Sequence, residues 1–225
     1  PGEANPHWSA VLRTLDDLLR CLKGAHVPPF LSAKLLEQVF GFVNVQLFNQ
    51  LLLRRECCSF SNGEYVKTGL ADVEQWVAQA GRAWVGDAWE ALAHIRQAVT
   101  FLVIHQKHKK SLVEIVSDLC PVLSVQQLYR ISTMYWDDRY GTETVSHEVL
   151  AHMKQLMVQN AANAASHSFL LDEDSATPFS QDDIAAAVDD RVLLQEPIVP
   201  PQLRDQPSFA FLAKRLDASL QPLAA

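Results

Sequence analysis

A continuous stretch from Phe30 to Leu53 is the feature that most constrains the fold of this chain. It follows a helix break at Pro28-Pro29. Its apolar residues are Leu35, Leu36, Val39, Phe40, Phe42, Val43, Val45, Leu47, Phe48, Leu51 and Leu52. Because these positions fall on most sides of a helix, neighbouring elements rather than water have to cover it. We therefore predict a long central helix that forms the spine of the core.

Several flanking segments carry the same helical periodicity. Apolar residues recur at spacings of three and four in residues 6–23, and Gly24 is placed to end that helix. Residues 84–106, 145–159 and 180–188 predict further helices. Most aromatic side chains fall at helical spacing as well, so we interpret them as core rather than as a ligand box. These are Trp8, Trp76, Trp84, Trp89, Phe101 and Tyr135.

Two capping boxes mark where other helices begin. Ser111 is followed three residues later by Glu114, and Ser124 is followed by Gln127. In this motif each of the two side chains accepts a hydrogen bond from the backbone N–H of the other residue. These N–H groups have no acceptor within the helix. The first of these helices is predicted to end near Cys120-Pro121 and the second near Tyr135.

The remaining patterns set the fold class. Residues 56–63 have the composition of a turn, and helical spacing resumes at Leu70. Strand-like alternation, sustained heptads and internal repeats are missing from the sequence. We predict an all-α fold, a compact multi-helix bundle over residues 1–190. Pro197, Pro200, Pro201 and Pro207 then predict an extended C-terminal segment, residues 191–225, which contains a short helix and packs back on the domain.

Composition excludes several classes of function. The chain has 225 residues, is 48% hydrophobic and 20% charged, and carries a formal net charge of −7. This balance is that of an ordinary globular protein and disfavours general binding to nucleic acid or to an anionic membrane. Neither a signal peptide nor an apolar span of about 18 residues is present. We interpret the chain as a fragment of a longer protein.

The four cysteines do not form a metal-binding or secreted pattern. Cys21, Cys57, Cys58 and Cys120 include no CxxC pair, so we expect reduced thiols in a cytosolic protein. Zinc binding at Cys57 and Cys58 is a weak alternative, because adjacent residues on a helix project about 100° apart. Small buried hydrophobic residues are the preferred interpretation.

Enzyme signatures are missing too. The sequence has no GxxxxGK[ST], GxGxxG, GxSxG or HExxH motif. An active site would have to be built from Asp137, Asp138, His147, Glu148 and His152, whose spacings suit neither paired carboxylates nor shared metal ligation. We prefer structural roles for these residues and predict neither catalysis nor a cofactor.

Two basic features are candidates for binding. The run from His105 to Lys110 either forms a solvated loop between helices or contacts a phosphoinositide, an acidic helix or a phosphorylated peptide. Arg54 and Arg55 follow the buried Leu51 to Leu53 and should emerge where the central helix reaches the surface. They either bind carboxylates of a partner or cap their own helix.

Long strings around these residues resemble a known family. Residues 44–76, which include LLLRRECC, together with 88–110, 118–146 and 168–180, are similar to the dilute-type globular tail of plant and algal class XI myosins, relatives of class V. The resemblance runs from about Pro6 to Arg215. It implies an all-helical cytosolic tail that binds cargo adaptor proteins and Rab-type GTPases on vesicles and organelles. The family's tail is longer, so this chain corresponds mainly to its second subdomain.

The resemblance also implies what the parent molecule does. Class XI and class V myosins are ATP-driven actin motors that dimerise through an upstream coiled coil, and in animal class V the tail folds back on the motor head. An alternative function is therefore autoinhibition. Neither the ATPase nor the coiled coil lies in this chain.

Site residues follow from the same resemblance. The head-contacting positions of class V correspond to Arg55 and Arg130. The fungal vesicle-receptor patch falls around Thr68 and Val103, where the residue types differ and only the surface carries over. The predicted partner-binding set is Arg54, Arg55, Thr68, Leu102 and Val103, and the predicted motor-head contacts are Arg55 and Arg130. No metal or cofactor is implied.

Overall fold

The computed structural model describes residues 5–139, 141–161, 169–174, 176–187, 203 and 207–210. Within these ranges the chain is helical and contains no β-strand, so the all-α prediction is confirmed. The α-helices are α1 (Pro6–Gly24), α2 (Pro29–Leu53), α3 (Phe60–Ala80), α4 (Arg82–Val85), α5 (Ala88–Ala91), α6 (Ala93–Leu102), α7 (Leu112–Glu114), α8 (Val125–Met134), α9 (His147–Ala161) and α10 (Gln181–Ala187). No helix among the described residues is long and apolar enough to cross a membrane.

The chain divides after Pro178 into two compact units. The first contains α1 to α9, and the second contains α10 and a 3-10 turn at Pro207–Phe209. Most of residues 191–225 lie outside the described residues. The extended course of that segment, its packing and the domain boundary at residue 190 stay predictions.

The central helix is where the sequence predicts it. α2 packs against α4, α5, α6 and α8, and its side chains Leu36, Phe48 and Leu52 are completely buried. Its coverage is less complete than the apolar pattern indicates, since Phe42 is 56% exposed and Leu53 is 52% exposed. Leu53 is therefore not part of the buried spine. Successive side chains on a helix point about 100° apart. The side chain of Leu53, one residue after the buried Leu52, therefore faces solvent.

One buried polar side chain of α2 organises the next layer. Asn44 is only 5% exposed, and its Oδ1 accepts a hydrogen bond of 3.0 Å from the backbone N–H of Ile95. That N–H lies in the first turn of α6, where no intrahelical acceptor exists and Leu92 provides no side-chain cap. A side chain of α2 thus supplies a hydrogen-bond acceptor to the first turn of α6.

The predicted helical segment 84–106 is broken into α4, α5 and α6. Gly86 has a φ of +56°, a backbone conformation that ends α4 and that residues other than glycine rarely adopt. An added Cβ there would lie 2.3 Å from Oε1 of Glu37, and the same oxygen accepts from the Asp87 N–H at 3.0 Å. Close approach to α2 explains the break.

Helix α3 begins earlier than its composition predicts. Ser59 caps it, and the helix starts at Phe60, so Asn62 and Gly63 lie inside the helix rather than in a turn. Gly63 is required by packing, because an added Cβ would lie 2.8 Å from Cβ of Leu102 and 3.0 Å from Cγ1 of Val103. The glycine lets α3 approach α6 closely.

Both predicted capping boxes are present. Ser111 and Glu114 open α7, which continues as a π-helical turn at Ile115–Leu119 and ends before Cys120 as predicted. Ser124 and Gln127 open α8. The predicted core aromatics also lie in or against the core cluster.

Candidate functional site

The junction between α2 and α3 is built from a tightly turned backbone. Arg54 ends α2 in an extended conformation, with φ −120° and ψ 114°, and a 3-10 turn at Arg55–Cys57 follows. The Asn62 N–H donates to Oγ of Ser59 over 3.1 Å, and Nδ2 of Asn62 donates to the carbonyl of Cys57 over 2.8 Å. The start of α3 therefore fixes one side of the turn.

The end of α8 fixes the other side of this junction. Nε of Arg130 donates to the Leu52 carbonyl over 3.1 Å, which satisfies an acceptor in the last turn of α2. The Trp136 N–H donates to the Cys58 carbonyl over 3.2 Å, and Nε1 of Trp136 donates to the Arg55 carbonyl over 3.0 Å. Hydrogen bonds from α3, from Arg130 of α8 and from Trp136 just after α8 thus hold the backbone around Arg54 and Arg55.

The arginine side chains themselves point into solvent. Arg54 and Arg55 are exposed, and neither guanidinium makes a hydrogen bond or ion pair with any residue that the structure describes. Leu53 beside them is 52% exposed, and Trp136 is 38% exposed. We call these four residues the junction surface. It presents two cations, unpaired among the described residues, next to two apolar side chains.

The surroundings of the two cysteines of the junction favour the thiol over the thiolate. Burial raises the pKa of Cys58 to about 12, and it also raises the pKa of Cys57. Sγ of Cys58 donates to the Leu51 carbonyl over 3.1 Å. A metal needs the thiolate, so this environment disfavours ligation. In the described ranges no three His, Cys, Asp or Glu side chains are grouped for a metal ion.

Arg130, predicted as a contact for the motor head, is half-buried. Besides its bond to Leu52, its guanidinium carbon lies 5.2 Å from the centroid of the Phe169 ring. The observed role of Arg130 is to hold the end of α2. A direct contact with a motor head stays a prediction.

Thr68 is exposed but belongs to another part of α3. Its Oγ1 donates to the Glu64 carbonyl over 2.9 Å. Eight residues separate it from the start of α3 at Phe60, which corresponds to about 12 Å along the helix. The structure does not bring Thr68 into the junction surface.

The placement of Leu102 and Val103 corrects the predicted partner-binding set. Leu102 is 0% exposed and Val103 is 7% exposed, and both pack against Gly63 of α3. In this fold Leu102 has no exposed surface for a partner and Val103 has very little. The physical reason is the close α3–α6 approach, which the sequence pattern did not predict.

The basic run from His105 to Lys110 is not uniformly solvated, which corrects the loop interpretation at Lys107. That residue is 0% exposed. Its Nζ donates to the carbonyls of Leu102 and Ile104 over 3.0 and 2.8 Å and lies 3.8 Å from the centroid of the Tyr135 ring. Burial lowers the pKa of Lys107 to about 8, against an opposing effect of Asp137. Lys107 therefore caps the C-terminus of α6.

The acidic pair after α8 has structural roles, as expected. One oxygen of Asp137 accepts from the Arg139 N–H at 2.7 Å, and the other accepts from the N–H and hydroxyl of Thr142. Asp138 accepts from the Ser61 N–H at 3.2 Å, in the first turn of α3. The two carboxylates bind different segments, the loop after α8 and the first turn of α3, and do not form a paired site.

A cavity of about 720 Å³ lies away from the junction, between α2, α5 and residues 171–174 and 176–178. Phe42 forms part of its wall, and Glu37, Glu90, Asp172, Glu173 and Asp174 line it with carboxylates. It contains none of the predicted site residues.

Trp136 is the junction residue that sequence reasoning missed. Its aromatic ring follows the predicted end of a helix, and no local pattern indicates that its indole N–H reaches Arg55, 81 positions earlier. Exposure of Leu53 was also missed. Helical geometry could have indicated this exposure, because Leu51 and Leu52 already occupy the buried side of α2 and the next residue points away from it.

The sequence of this chain is similar to those of known proteins. A DIL domain family model matches residues 34–139. The chain is 56% identical to Arabidopsis thaliana Myosin-11 over 92% of its own length and 13% of that protein, and 56% identical to Arabidopsis thaliana Myosin-17 over 95% and 14%. The chain thus spans about one-seventh of these curated relatives.

Two solved structures have the same fold at low identity. A structure of Myo2-GTD in complex with Inp2 matches with a TM-score of 0.70 and 21% identity, over 94% of this chain and 52% of that chain. The yeast myosin 5 cargo binding domain matches with a TM-score of 0.67 and 20% identity, over 96% and 53%. From the DIL match and the long, highly identical alignments, the chain belongs to the DIL-domain family and is a relative of the plant class XI myosins over the segment that it spans.

Proposed function

We propose that this chain is the cargo-binding tail module of an unconventional actin-based myosin, and that its partners are adaptor proteins and Rab-type GTPases on vesicles and organelles. The module itself carries no motor activity and acts in the cytoplasm, where its partners link it to membranes. The observation that supports this proposal is the junction surface. Arg54 and Arg55 are exposed and unpaired within the described residues, on a backbone that two helices hold in place.

The chemistry of this surface suits a protein partner. A guanidinium offers planar pairs of N–H donors that match a carboxylate, and each charge-assisted hydrogen bond contributes about 1.5 to 3 kcal/mol when it is shielded from water. Leu53 and Trp136 add apolar area beside the cations. Arginine and tryptophan are enriched where binding energy concentrates in interfaces. The expected partner segment is therefore acidic with an apolar anchor.

The relatives support the same assignment. The chain shares its fold with Myo2-GTD, which was solved in complex with the protein Inp2, and with a domain named for cargo binding. Partner identity depends on surface chemistry, which differs at 21% identity. We therefore derive the contact residues of this chain from its own exposed groups. Thr68 on α3 is retained as a secondary contact.

Quantitative affinity capture from the source cell tests the proposal. Wild-type chain, Arg55→Glu and Arg13→Glu serve as baits. Arg13 is an exposed α1 arginine without a side-chain partner among the described residues, so it is a matched charge-reversal control. Adaptors or GTPases recovered with wild type and Arg13→Glu should be lost with Arg55→Glu. Identical recovery with all three baits contradicts the assignment to the junction surface.

Autoinhibition is the second candidate. The same unpaired cation of Arg55 favours it, since that guanidinium is available to an acidic surface of a motor head. Adding the purified chain to a headed fragment of the parent motor distinguishes the two functions. Suppressed actin-activated ATP turnover, relieved by Arg55→Glu but not by Arg13→Glu, supports autoinhibition. Unchanged turnover together with selective loss of adaptors leaves cargo binding as the function of this surface.

A further inference from the structure

A second concave site lies on a different part of the first unit. A cavity of about 460 Å³ opens between the start of α7 and the start of α9. Its wall from the α7 side includes His108, Lys109 and Lys110, and its wall from α9 includes Glu148 and His152. We call it the α7–α9 pocket. It shares no residue with the junction surface.

The polar side chains of this pocket favour an anion. Lys109 is exposed, and its ammonium makes no hydrogen bond or ion pair with a described residue. Lys110 is paired with Glu114 over 3.0 Å, which leaves further N–H donors on its ammonium. His108 and His152 add imidazole groups from opposite walls, and Nδ1 of His108 is buried without a partner in the described part of the chain. Glu148 is the opposing charge in the lining.

The backbone at one wall adds to the same preference. α9 has 15 residues, and its first turn meets the pocket at Ser146, Glu148 and Val149. Oγ of Ser146 accepts from the Val149 N–H over 3.2 Å, so the first turn is held in helical form. The N–H groups at the start of a helix, together with its dipole, stabilise a bound anion. Basic side chains and a helix start therefore face one cavity.

Shape and overall charge narrow the anion to a protein-borne phosphate. The pocket is concave, and Val113 at its lining is 69% exposed, which provides an apolar contact for a residue next to the anion. A membrane surface would instead need a broad basic face, whereas this chain carries a net charge of −7 and Glu148 lies in the lining. We propose that the α7–α9 pocket binds a phosphorylated serine or threonine side chain of a partner protein.

A phosphoserine pentapeptide, acetyl-Ala-Ala-pSer-Leu-Ala-amide, and its unphosphorylated twin test this proposal by NMR titration of the isotope-labelled full chain. The phosphopeptide should shift the backbone signals of residues 108–113 and 146–152, and the twin should not. Lys109→Glu should weaken binding about tenfold or more, the loss of one charge-assisted contact. Lys154→Glu, an exposed α9 lysine outside the lining, should change it less than about twofold.

Further arms distinguish other sources of phosphate. Arg55→Glu should leave phosphopeptide binding unchanged, so this result is independent of the junction surface. Circular dichroism confirms that each variant is folded. Absence of the predicted shifts, or equal weakening by Lys109→Glu and Lys154→Glu, contradicts the proposal. A last arm uses phosphatidylcholine vesicles with about 5% phosphatidylinositol 4-phosphate. If these vesicles bind in a Lys109-dependent way and the peptide does not bind, the pocket recognises a lipid headgroup and the proposal is contradicted.

Discussion

Nε of Arg130 lies 3.1 Å from the carbonyl oxygen of Leu52 and donates a hydrogen bond to it. This contact joins α8 to the last turn of α2, immediately before the two exposed arginines. One arginine is thus committed to structure so that Arg54 and Arg55 leave the helix on a defined path. Charge reversal should therefore act on binding at Arg55 and on stability at Arg130.

Arg130→Ala should lower the free energy of unfolding by about 1 to 2 kcal/mol. The estimate combines one lost hydrogen bond to a helix terminus with the lost contact to the Phe169 ring. Urea unfolding followed by circular dichroism measures it. Arg13→Ala on exposed α1 should change stability by less than about 0.5 kcal/mol. Equal effects of the two substitutions would show that the Arg130 contacts contribute nothing specific.

Gly63→Ala tests the close approach of α3 and α6. The new Cβ would lie 2.8 Å from Cβ of Leu102, so the two helices must separate. We expect a loss of about 1 to 3 kcal/mol in unfolding free energy from overpacking. Gly41→Ala in α2 is the matched control, because nothing lies within 4 Å of its added Cβ. That substitution should stabilise the protein by up to about 1 kcal/mol, and a Gly63→Ala variant as stable as Gly41→Ala refutes the packing argument.

Lys107 should make stability rise with pH. Burial lowers its pKa from 10.5 to about 8, so between these values the unfolded chain binds more protons than the native chain. The free energy of unfolding then increases with pH over this interval. Burial raises the pKa of Cys58 and Cys120 from 9.0 to about 12, which has the opposite effect above pH 9.

The measurement is urea unfolding of wild type and Lys107→Met from pH 7 to about pH 9, below the range in which the thiols dominate. The difference between the two curves isolates the lysine. Wild type should gain stability relative to Lys107→Met as pH rises through about 8. Parallel curves would mean that Lys107 is not a buried amine of lowered pKa.

Glu114 should contribute stability that acid removes. Hydrogen bonds from the backbone N–H and hydroxyl of Ser111, and then from Lys110, lower the pKa of Glu114 from 4.5 to about 2. Its contribution is complete above pH 4.5 and is lost as pH falls through about 2. Glu114→Gln keeps the capping geometry without the charge, so its unfolding midpoint should fall less steeply over this interval. Indistinguishable acid profiles count against the role of the carboxylate.

Local patterns predicted the elements whose structure is decided locally. The stop at Gly24, the spine helix and the capping boxes at Ser111 and Ser124 depend on residues within a few positions of one another, and all are present. The exit of Arg54 and Arg55 to the surface was predicted on the same basis and is confirmed. Periodicity and capping chemistry determine such features within one turn.

Long-range packing decided what the sequence reasoning missed. Lys107 is drawn into the core by carbonyls at the end of α6 and by Tyr135, although its neighbours are polar. Gly63 lies inside α3, where the absence of a side chain lets Leu102 of α6 approach closely. The contacts of Lys107 with Tyr135 and of Gly63 with Leu102 join segments that are distant in sequence, so composition in a short window carries no information about them. For the same reason, the sequence did not indicate that Nε1 of Trp136 donates to the carbonyl of Arg55.

The central claim is that the junction surface binds a protein partner through Arg55. Its most direct test is isothermal titration of an adaptor or GTPase recovered by capture, against wild type, Arg55→Glu and Arg13→Glu, with fold checked by circular dichroism. The Kd should rise about tenfold or more for Arg55→Glu, since reversal removes an attraction and adds a repulsion, and less than about twofold for Arg13→Glu. Equal affinity of all three proteins for that partner would contradict the claim.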